Sequence, residues 1–263
     1  MPLRKKCKIV IVLSGESGCG KTSVRNYIKA LWNENTGNFF TYYRDFPRCK
    51  LRFGYEYTTR PPRPDEIGKT PEECGYKFVS EEELKQKAWP SKPIRKYHVL
   101  GEDGKPADWL YAFIPEDEMF EDVNSDDVEV CICCSNLDAY LLMRDSVELE
   151  TNFHINDIHI VVPYEVLLYR GISRELEKAP EKQNMQEVLR RFSIESNPGI
   201  RTEGFNTNIF TAMRHWLGPS NRVQVMNTNV VRIDTNIHDD NMHANTDVVI
   251  HEIAVIVNQY RLF

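Results

Sequence analysis

The stretch from Gly15 to Thr22 carries residue types at a spacing that binds phosphate. It fits the pattern Gly-x4-Gly-Lys-Thr. Its glycines let phosphate oxygens approach the backbone N–H groups, because no Cβ atom stands in the way. The Lys21 ammonium would reach the β- and γ-phosphates, and the Thr22 hydroxyl would bind Mg²⁺. The pattern predicts a nucleoside triphosphate site built from Gly15, Glu16, Ser17, Gly18, Cys19, Gly20, Lys21, Thr22 and Ser23.

The flanking sequence supplies the strand and the helix that such a loop requires. Residues 8–13 are an apolar run rich in β-branched side chains, which is typical of a strand buried on both faces. A helix predicted from Lys21 to Trp32 would point its positive end at the same anion. The alternative is an ordinary glycine-rich strand-to-helix turn, and this context disfavours it.

Composition narrows the class of protein. The chain has 263 residues, a net charge of −6 and 41% hydrophobic residues, which suits a single α/β domain with insertions. The acidic balance argues against a broad nucleic-acid surface, and no apolar run is long enough to span a membrane. The seven cysteines form no regular framework, so we expect reduced thiols and a cytoplasmic location.

A second stretch, residues 53–66, places two arginines on a proline-stiffened turn. Arg60 and Arg63 are separated by two prolines, and Tyr76 follows further along the chain. Guanidinium forks bind phosphate in a bidentate way, and proline lowers the entropy lost in holding them. The stretch therefore predicts an anion clamp, with a solvated basic turn as the alternative.

The phosphate loop, together with residues 58–63 (TTRPPR), 75–80 (GYKFVS) and 81–84 (EEEL), resembles guanylate kinases. The resemblance implies that Arg60, Arg63 and Tyr76 hold the phosphate of an acceptor nucleoside monophosphate. By ungapped spacing it also implies that Glu102 binds the base and that Tyr111 binds the same phosphate. Glu56 stands where the family has a serine that contacts the base, so guanine, cytosine, adenine and a modified base all remain open.

The resemblance extends to the transfer machinery, with one departure. The predicted strand from Val128 ends in Cys133-Cys134-Ser135, where the family has Asp-x-Asp near Mg²⁺. A helix-loop-helix over about 168–204 resembles the lid of nucleoside monophosphate kinases. Its arginines would wrap the transferring phosphoryl group, and by pattern these catalytic residues are Arg170, Arg174 and Arg191, alongside Lys21.

We therefore expect an α/β fold, a three-layer P-loop kinase with a parallel sheet. One domain would comprise a core (about 1–50 and 116–263), an acceptor-binding insertion (about 51–115) and the lid. The implied reaction is ATP-dependent phosphorylation of a nucleoside monophosphate, GMP or dGMP by the resemblance, with Mg²⁺ bound by Thr22, in a monomer or homodimer. The alternatives are a kinase of the same fold for another deoxynucleotide or a sugar phosphate, and a non-catalytic module that binds protein ligands.

Overall fold

The structure is a computed structural model of the chain. It describes residues 8–15, 18–34, 39, 43–47, 49–63, 66–88, 94–100, 106–114, 128–144, 153–162, 164–177, 179–180, 183, 185, 222–225, 228–232 and 242–261. The strands are β1 (Lys8–Gly15), β2 (Lys50–Phe53), β3 (Glu56–Thr58), β4 (Tyr76–Phe78), β5 (Ile94–Leu100), β6 (Pro106–Ala112), β7 (Glu129–Cys134), β8 (His154–Val161), β9 (Arg222–Val225) and β10 (Thr228–Arg232). The helices are α1 (Lys21–Glu34), α2 (Pro71–Cys74), α3 (Glu81–Ala88), α4 (Leu137–Arg144), α5 (Tyr164–Leu176) and α6 (Met242–Arg261).

The main sheet has six strands in the order β2-β7-β1-β8-β10-β9. All neighbours pair in parallel except β9, which forms an antiparallel pair with β10. Strand β1 is central, and the strands that follow it in the chain lie on both sides of it. The loop after β1 therefore leaves the carboxyl edge of the sheet where the strand order diverges, which is where α/β sheets bind ligands.

Helices cover both faces of this sheet, because the central strands are apolar on both sides. Alternate residues of β1, such as Ile9 and Ile11, pack with α1, α6 and the start of α5. The intervening residues Val10 and Val12 pack with α4 and with residues of the second sheet. The predicted α/β fold with a parallel sheet between helical layers is confirmed.

A second sheet of four strands, in the order β4-β3-β6-β5, lies within residues 56–112. Strand β2, which falls inside the predicted insertion, belongs to the main sheet instead. Only Gly54 and Tyr55 connect β2 to β3. The Gly54 N–H donates to the carbonyl of Ile132 at 2.8 Å, which ties this junction to β7.

Several local predictions agree with the structure. The sequence also predicts a helix over about 137–144 and another that starts near Tyr164. Helices α4 and α5 match these predictions, and α1 runs two residues further than predicted. The Ser80 hydroxyl accepts from the N–H of Glu83 at 3.1 Å, which caps α3. None of the described helices is both long enough and apolar enough to cross a membrane. Apart from Met185, the second helix of the predicted lid lies outside the described residues.

Candidate active site

The phosphate loop adopts a backbone that requires glycine. Gly15, Gly18 and Gly20 have φ of 141°, 86° and 96°, a region that other L-residues rarely adopt. A Cβ atom on Gly15 would lie 2.4 Å from the carbonyl oxygen of Ile160 and 2.8 Å from the Cys19 sulfur. Neither the backbone of β8 nor a buried cysteine can yield by that much. The glycine pattern noted in the sequence is thus explained by the geometry of the loop.

Lys21 lies across the base of this loop. Its Nζ donates to the carbonyl of Gly15 at 2.7 Å and lies 3.7 Å from Cys19 Sγ. Helix α1 starts at Lys21, and its first closing bond runs from the Val24 N–H to the carbonyl of Gly20 at 2.9 Å. Thr22 and Ser23 are exposed in the first turn. The first turn of α1, with the positive end of the helix dipole, and the Lys21 ammonium thus lie next to the loop, an arrangement suited to an anion.

A polar cluster lies beneath the loop at the end of the sheet. Ser14 Oγ and His159 Nδ1 are 2.8 Å apart, on register partners of β1 and β8. Asp157 lies on the same face of β8, fully buried, and neither carboxylate oxygen has a partner with hydrogen-bond geometry among the described residues. Burial raises the pKa of Asp157 well above its usual range, although Ser14 and Lys21 lie near enough to lower it in part. Burial and Lys21 lower the pKa of His159 to about 4.

Helix α5 brings one predicted lid arginine to the loop. Arg170 Nη1 donates to the carbonyl of Gly18 at 3.3 Å and faces Gly20. Arg174 lies one turn further along α5 and is exposed. Arg191 lies outside the described residues, as do Glu16 and Ser17 of the loop. A second positive charge therefore stands beside Lys21 at the place where phosphates would bind.

One face of the second sheet is polar and aromatic, because alternate residues of each strand point to the same side. The register pairs Glu56 with Tyr76, Thr58 with both Phe78 and Tyr111, and Arg95 with Tyr111. We call this surface the polar face; it comprises Glu56, Thr58, Tyr76, Phe78, Arg95, Tyr97 and Tyr111. Tyr111 stacks edge-on with Tyr76 and with Tyr97, at centroid distances of 6.2 Å and 5.2 Å. Four residues of the predicted site therefore meet here or next to it: Glu56, Arg60, Tyr76 and Tyr111.

Arg60 lies over the polar face and is held by a carboxylate. Its Nη1 and Nη2 donate to the two oxygens of Glu66 at 2.7 Å and 2.8 Å, and its guanidinium carbon lies 4.8 Å from the centroid of the Tyr76 ring. Burial opposes the charge on both groups, but the ion pair outweighs burial, so it raises the pKa of Arg60 and lowers that of Glu66. Arg63 is exposed, and its backbone N–H donates to Glu66 at 2.7 Å. The predicted two-arginine clamp therefore has one buried member and one exposed member.

A second buried ion pair, between Glu56 and Arg95, lies at the other end of the polar face. The Ser135 hydroxyl donates to Glu56 Oε1 at 2.8 Å, and Arg95 Nη2 donates to the same oxygen. Arg95 Nη1 donates to Asn136 Oδ1 at 2.9 Å and to the Tyr97 hydroxyl at 3.2 Å. Burial opposes the charge on Arg95, yet Glu56 and Tyr97 raise its pKa.

Ser135 connects the two halves of the site. Its N–H donates to the carbonyl of Leu13 at 3.0 Å, two residues before the phosphate loop, while its hydroxyl binds Glu56 on the polar face. Burial raises the pKa of the neighbouring Cys134 thiol to about 11. Lys21, on the loop side, lowers this pKa, and Glu56, on the polar face, raises it. The end of β7 therefore lies between the phosphate loop and the polar face.

Sequence reasoning missed Arg95, Asp157 and His159. Arg95 precedes Tyr97 by two residues on a strand, so alternation could have placed both on one face once β5 was recognised. Glu102, which ungapped spacing assigned to the base, lies outside the described residues. Asp157 and His159 follow the same alternation on β8, but no local motif marks them.

Comparisons with known proteins identify no family. No family model matches the chain, and no curated protein matches it. Among solved structures, a gluconokinase from Sinorhizobium meliloti 1021 aligns over 98% of this chain and 99% of its own, with 14% identity and a TM-score of 0.33. A TM-score this low supports no inference about activity.

Proposed function

We propose that the chain is an ATP-dependent phosphotransferase whose acceptor is a small phosphorylated molecule, most simply a nucleoside monophosphate. The observation that carries the proposal is the contact of Ser135 with both halves of the site. A phosphate loop facing a second anion site is the arrangement that an in-line transfer between two bound phosphates requires.

The donor half would hold the ATP phosphates through the loop N–H groups, Lys21 and Arg170. Lys21 already lies within reach of the loop backbone, and exchanging the carbonyl of Gly15 for a phosphate oxygen needs only a rotation of its flexible side chain. Arg170 would neutralise charge on the transferring group, with Arg174 and Arg191 joining on closure of the predicted lid. The acceptor is already an anion, so no general base is needed.

The acceptor half would hold a phosphate through Arg60, Arg63, Tyr76 and Tyr111. Burial raises the pKa of both tyrosines, so both hydroxyls stay protonated and donate hydrogen bonds at neutral pH. The family resemblance predicts a serine at position 56 and an acidic residue at the strand end. Glu56, paired with Arg95, and Ser135 stand there instead, so the site does not single out guanine among the bases.

Mg²⁺ fits this site as a companion of the nucleotide. No group of three or more His, Cys, Asp or Glu side chains among the described residues is arranged to hold a metal ion. Thr22 is exposed at the start of α1 and offers a single hydroxyl ligand. Mg²⁺ commonly keeps several waters and binds through few protein groups plus substrate phosphates. When bound, it would neutralise charge on the β- and γ-phosphates.

Replacing Lys21 tests the proposal. ADP release by wild-type protein would be followed with ATP and a panel of nucleoside and sugar monophosphates. We expect Lys21→Met to lower transfer at least 100-fold with an unchanged circular dichroism spectrum, because transition-state charge loses its partner. Lys85→Met, which removes an exposed lysine paired with Glu81 on α3, should keep wild-type activity. Transfer by Lys21→Met at the wild-type rate would refute the assignment.

A further inference from the structure

The Glu56–Arg95 ion pair occupies a position that the proposed reaction does not explain. Both side chains are nearly fully buried on the polar face, at 3% and 6% exposure. A buried ion pair is weak evidence for stability, since taking two charges out of water offsets most of their attraction. The pair also lies apart from Arg60, at the end of the face that is closed by Asn136 and Tyr97.

The hydrogen bonds around the pair leave a defined pattern of donors and acceptors. Ser135 and Arg95 both donate to Glu56 Oε1, and no contact among the described residues falls on Oε2. Arg95 Nη1 is used by Asn136 and Tyr97, whereas Nη2 has one described bond, to Glu56, and carries two hydrogens. The pair can therefore present an acceptor oxygen beside an N–H donor.

The surrounding groups hold the pair rigidly. Asn136 Oδ1 also accepts from the Ala139 N–H at 2.9 Å, which caps α4, and Asn136 Nδ2 binds the Tyr97 hydroxyl. The guanidinium carbon of Arg95 lies 5.7 Å from the centroid of the Tyr111 ring. Buried groups locked by several bonds lose little entropy on binding, which suits them to discriminate between ligands.

We propose that Arg95 and Glu56 form the specificity-determining pair of the acceptor site. They would select a nucleobase over a base-free acceptor through an edge that offers an N–H donor beside a carbonyl or ring-nitrogen acceptor, and the order of donor and acceptor along that edge would set the preferred base. The inference rests on the proposed function and deepens it. The base N–H would donate to Glu56 Oε2, and Arg95 would donate to the adjacent base acceptor. A site built to hydrogen-bond such an edge rejects acceptors that lack it, because its own buried groups are then left unpaired.

The test compares nucleotides whose bases differ in which ring position donates and which accepts a hydrogen bond. Transfer from ATP would be measured for CMP against UMP and for AMP against IMP, with ribose 5-phosphate as an acceptor lacking a base. Wild-type protein should prefer its best nucleotide over ribose 5-phosphate at least 100-fold in kcat/KM. Glu56→Gln replaces one carboxylate oxygen, a hydrogen-bond acceptor, with an NH₂ donor. The ratio of kcat/KM values within at least one nucleotide pair should therefore change at least tenfold, through a change in KM.

Two further variants separate recognition from folding. Breaking a buried pair on one side destabilises proteins, so the double variant Glu56→Gln/Arg95→Met, which removes both charges, would be tested beside Glu56→Gln. It should retain its circular dichroism spectrum and lose the nucleotide preference over ribose 5-phosphate at least tenfold. Lys96→Met, on the opposite face of β5, should match wild type.

The possible outcomes are distinct. If wild-type protein transfers phosphate to nucleotides but folded pair variants keep the wild-type order of preference, the specificity role is wrong and the proposed function stands. If wild-type protein phosphorylates ribose 5-phosphate as well as any nucleotide, the selection of a base edge is wrong. If it phosphorylates no acceptor of either kind, both the function and the inference fail.

Discussion

Glu66 holds Arg60 with the geometry of a bound oxyanion. Two parallel bonds, of 2.7 Å and 2.8 Å, join the carboxylate oxygens of Glu66 to the two terminal nitrogens of Arg60. The same fork would bind an acceptor phosphate, so an incoming anion has to share or replace an internal carboxylate.

Replacing Glu66 with glutamine should therefore change stability and anion binding together. Arg60 is buried, and losing its charged partner should destabilise the fold by about 3 kcal/mol. Phosphate or a nucleoside monophosphate should then raise the melting temperature of Glu66→Gln more than that of wild type at constant ionic strength. Glu81→Gln, which alters an exposed pair with Lys85, serves as the control. If phosphate raised the melting temperatures of Glu66→Gln and wild type equally, Glu66 would not compete with phosphate for Arg60.

Gly15→Ala should be severely destabilising. The added Cβ would meet the carbonyl of Ile160 at 2.4 Å, and the backbone φ of 141° is strained for alanine. We expect a loss of about 3 kcal/mol or more in urea unfolding, together with lost ATP binding. Gly68→Ala is the control for a positive φ without a contact, because its φ of 81° also favours glycine while nothing lies within 4 Å of its Cβ. It should cost about 1 kcal/mol, and equal losses would show that the contact with Ile160 is unimportant.

Asp157→Asn should stabilise the protein as the pH rises. The pKa of Asp157 is raised in the fold, so folding favours its protonated form. The stability linked to that proton is fully present below the pKa of the unfolded chain, about 4, and is lost as pH rises towards the folded value. The free energy of unfolding of Asp157→Asn should exceed that of wild type increasingly from pH 5 to pH 8, by at most about 1.4 kcal/mol per pH unit. A difference that does not vary with pH would contradict the assignment.

His159 should contribute a slope of the opposite sign. Its pKa is lowered to about 4 in the fold, so the unfolded chain takes up a proton first as the pH falls. Stability should drop between pH 6.5 and 4, by about 2 kcal/mol once the partial exposure of the ring is allowed for. The comparison is made in the Asp157→Asn background, where His159→Gln should remove this loss. An unchanged acid slope in the double variant would assign the loss to other groups.

The parts of the site that sequence could predict are those whose signal is local. The phosphate loop, α1 and α4 follow from glycine spacing, apolar periodicity and capping within a few residues of chain. Arg170 was predicted from the resemblance of residues 168–204 to a kinase lid, and the structure places it at the loop. Arg95 was missed since its role depends on the pairing of β5 with β6 across a hairpin, and on Glu56 and Ser135, which are distant in the chain. Glu102, which ungapped spacing assigned to the base, falls between β5 and β6, outside the described residues, and stays a prediction.

The buried polar cluster of Ser14, Asp157 and His159 also could not be predicted from a local pattern. His159 lies in the apolar stretch 158–162, which predicts only a strand, and Asp157 directly precedes it. Burial is the main cause of the unusual pKa values of both. Burial depends on which elements cover the sheet, and no short pattern in the chain encodes it. The motif predicted Arg60, but it did not predict Glu66, the carboxylate that binds Arg60.

Arg25, on the first helix, is 1% exposed and binds two carbonyls that belong to the opposite half of the molecule. Its Nη2 donates to the Gly54 carbonyl at 3.2 Å, at the junction between the sheets, and to the Glu72 carbonyl at 2.6 Å, in the segment that follows Glu66. The Arg25 side chain thus connects the helix that begins at Lys21 to the loops that support Arg60. If ATP and an acceptor phosphate bind as proposed, a movement of α1 on binding ATP would be transmitted to these loops, and any resulting coupling would change the affinity of each ligand by the same factor.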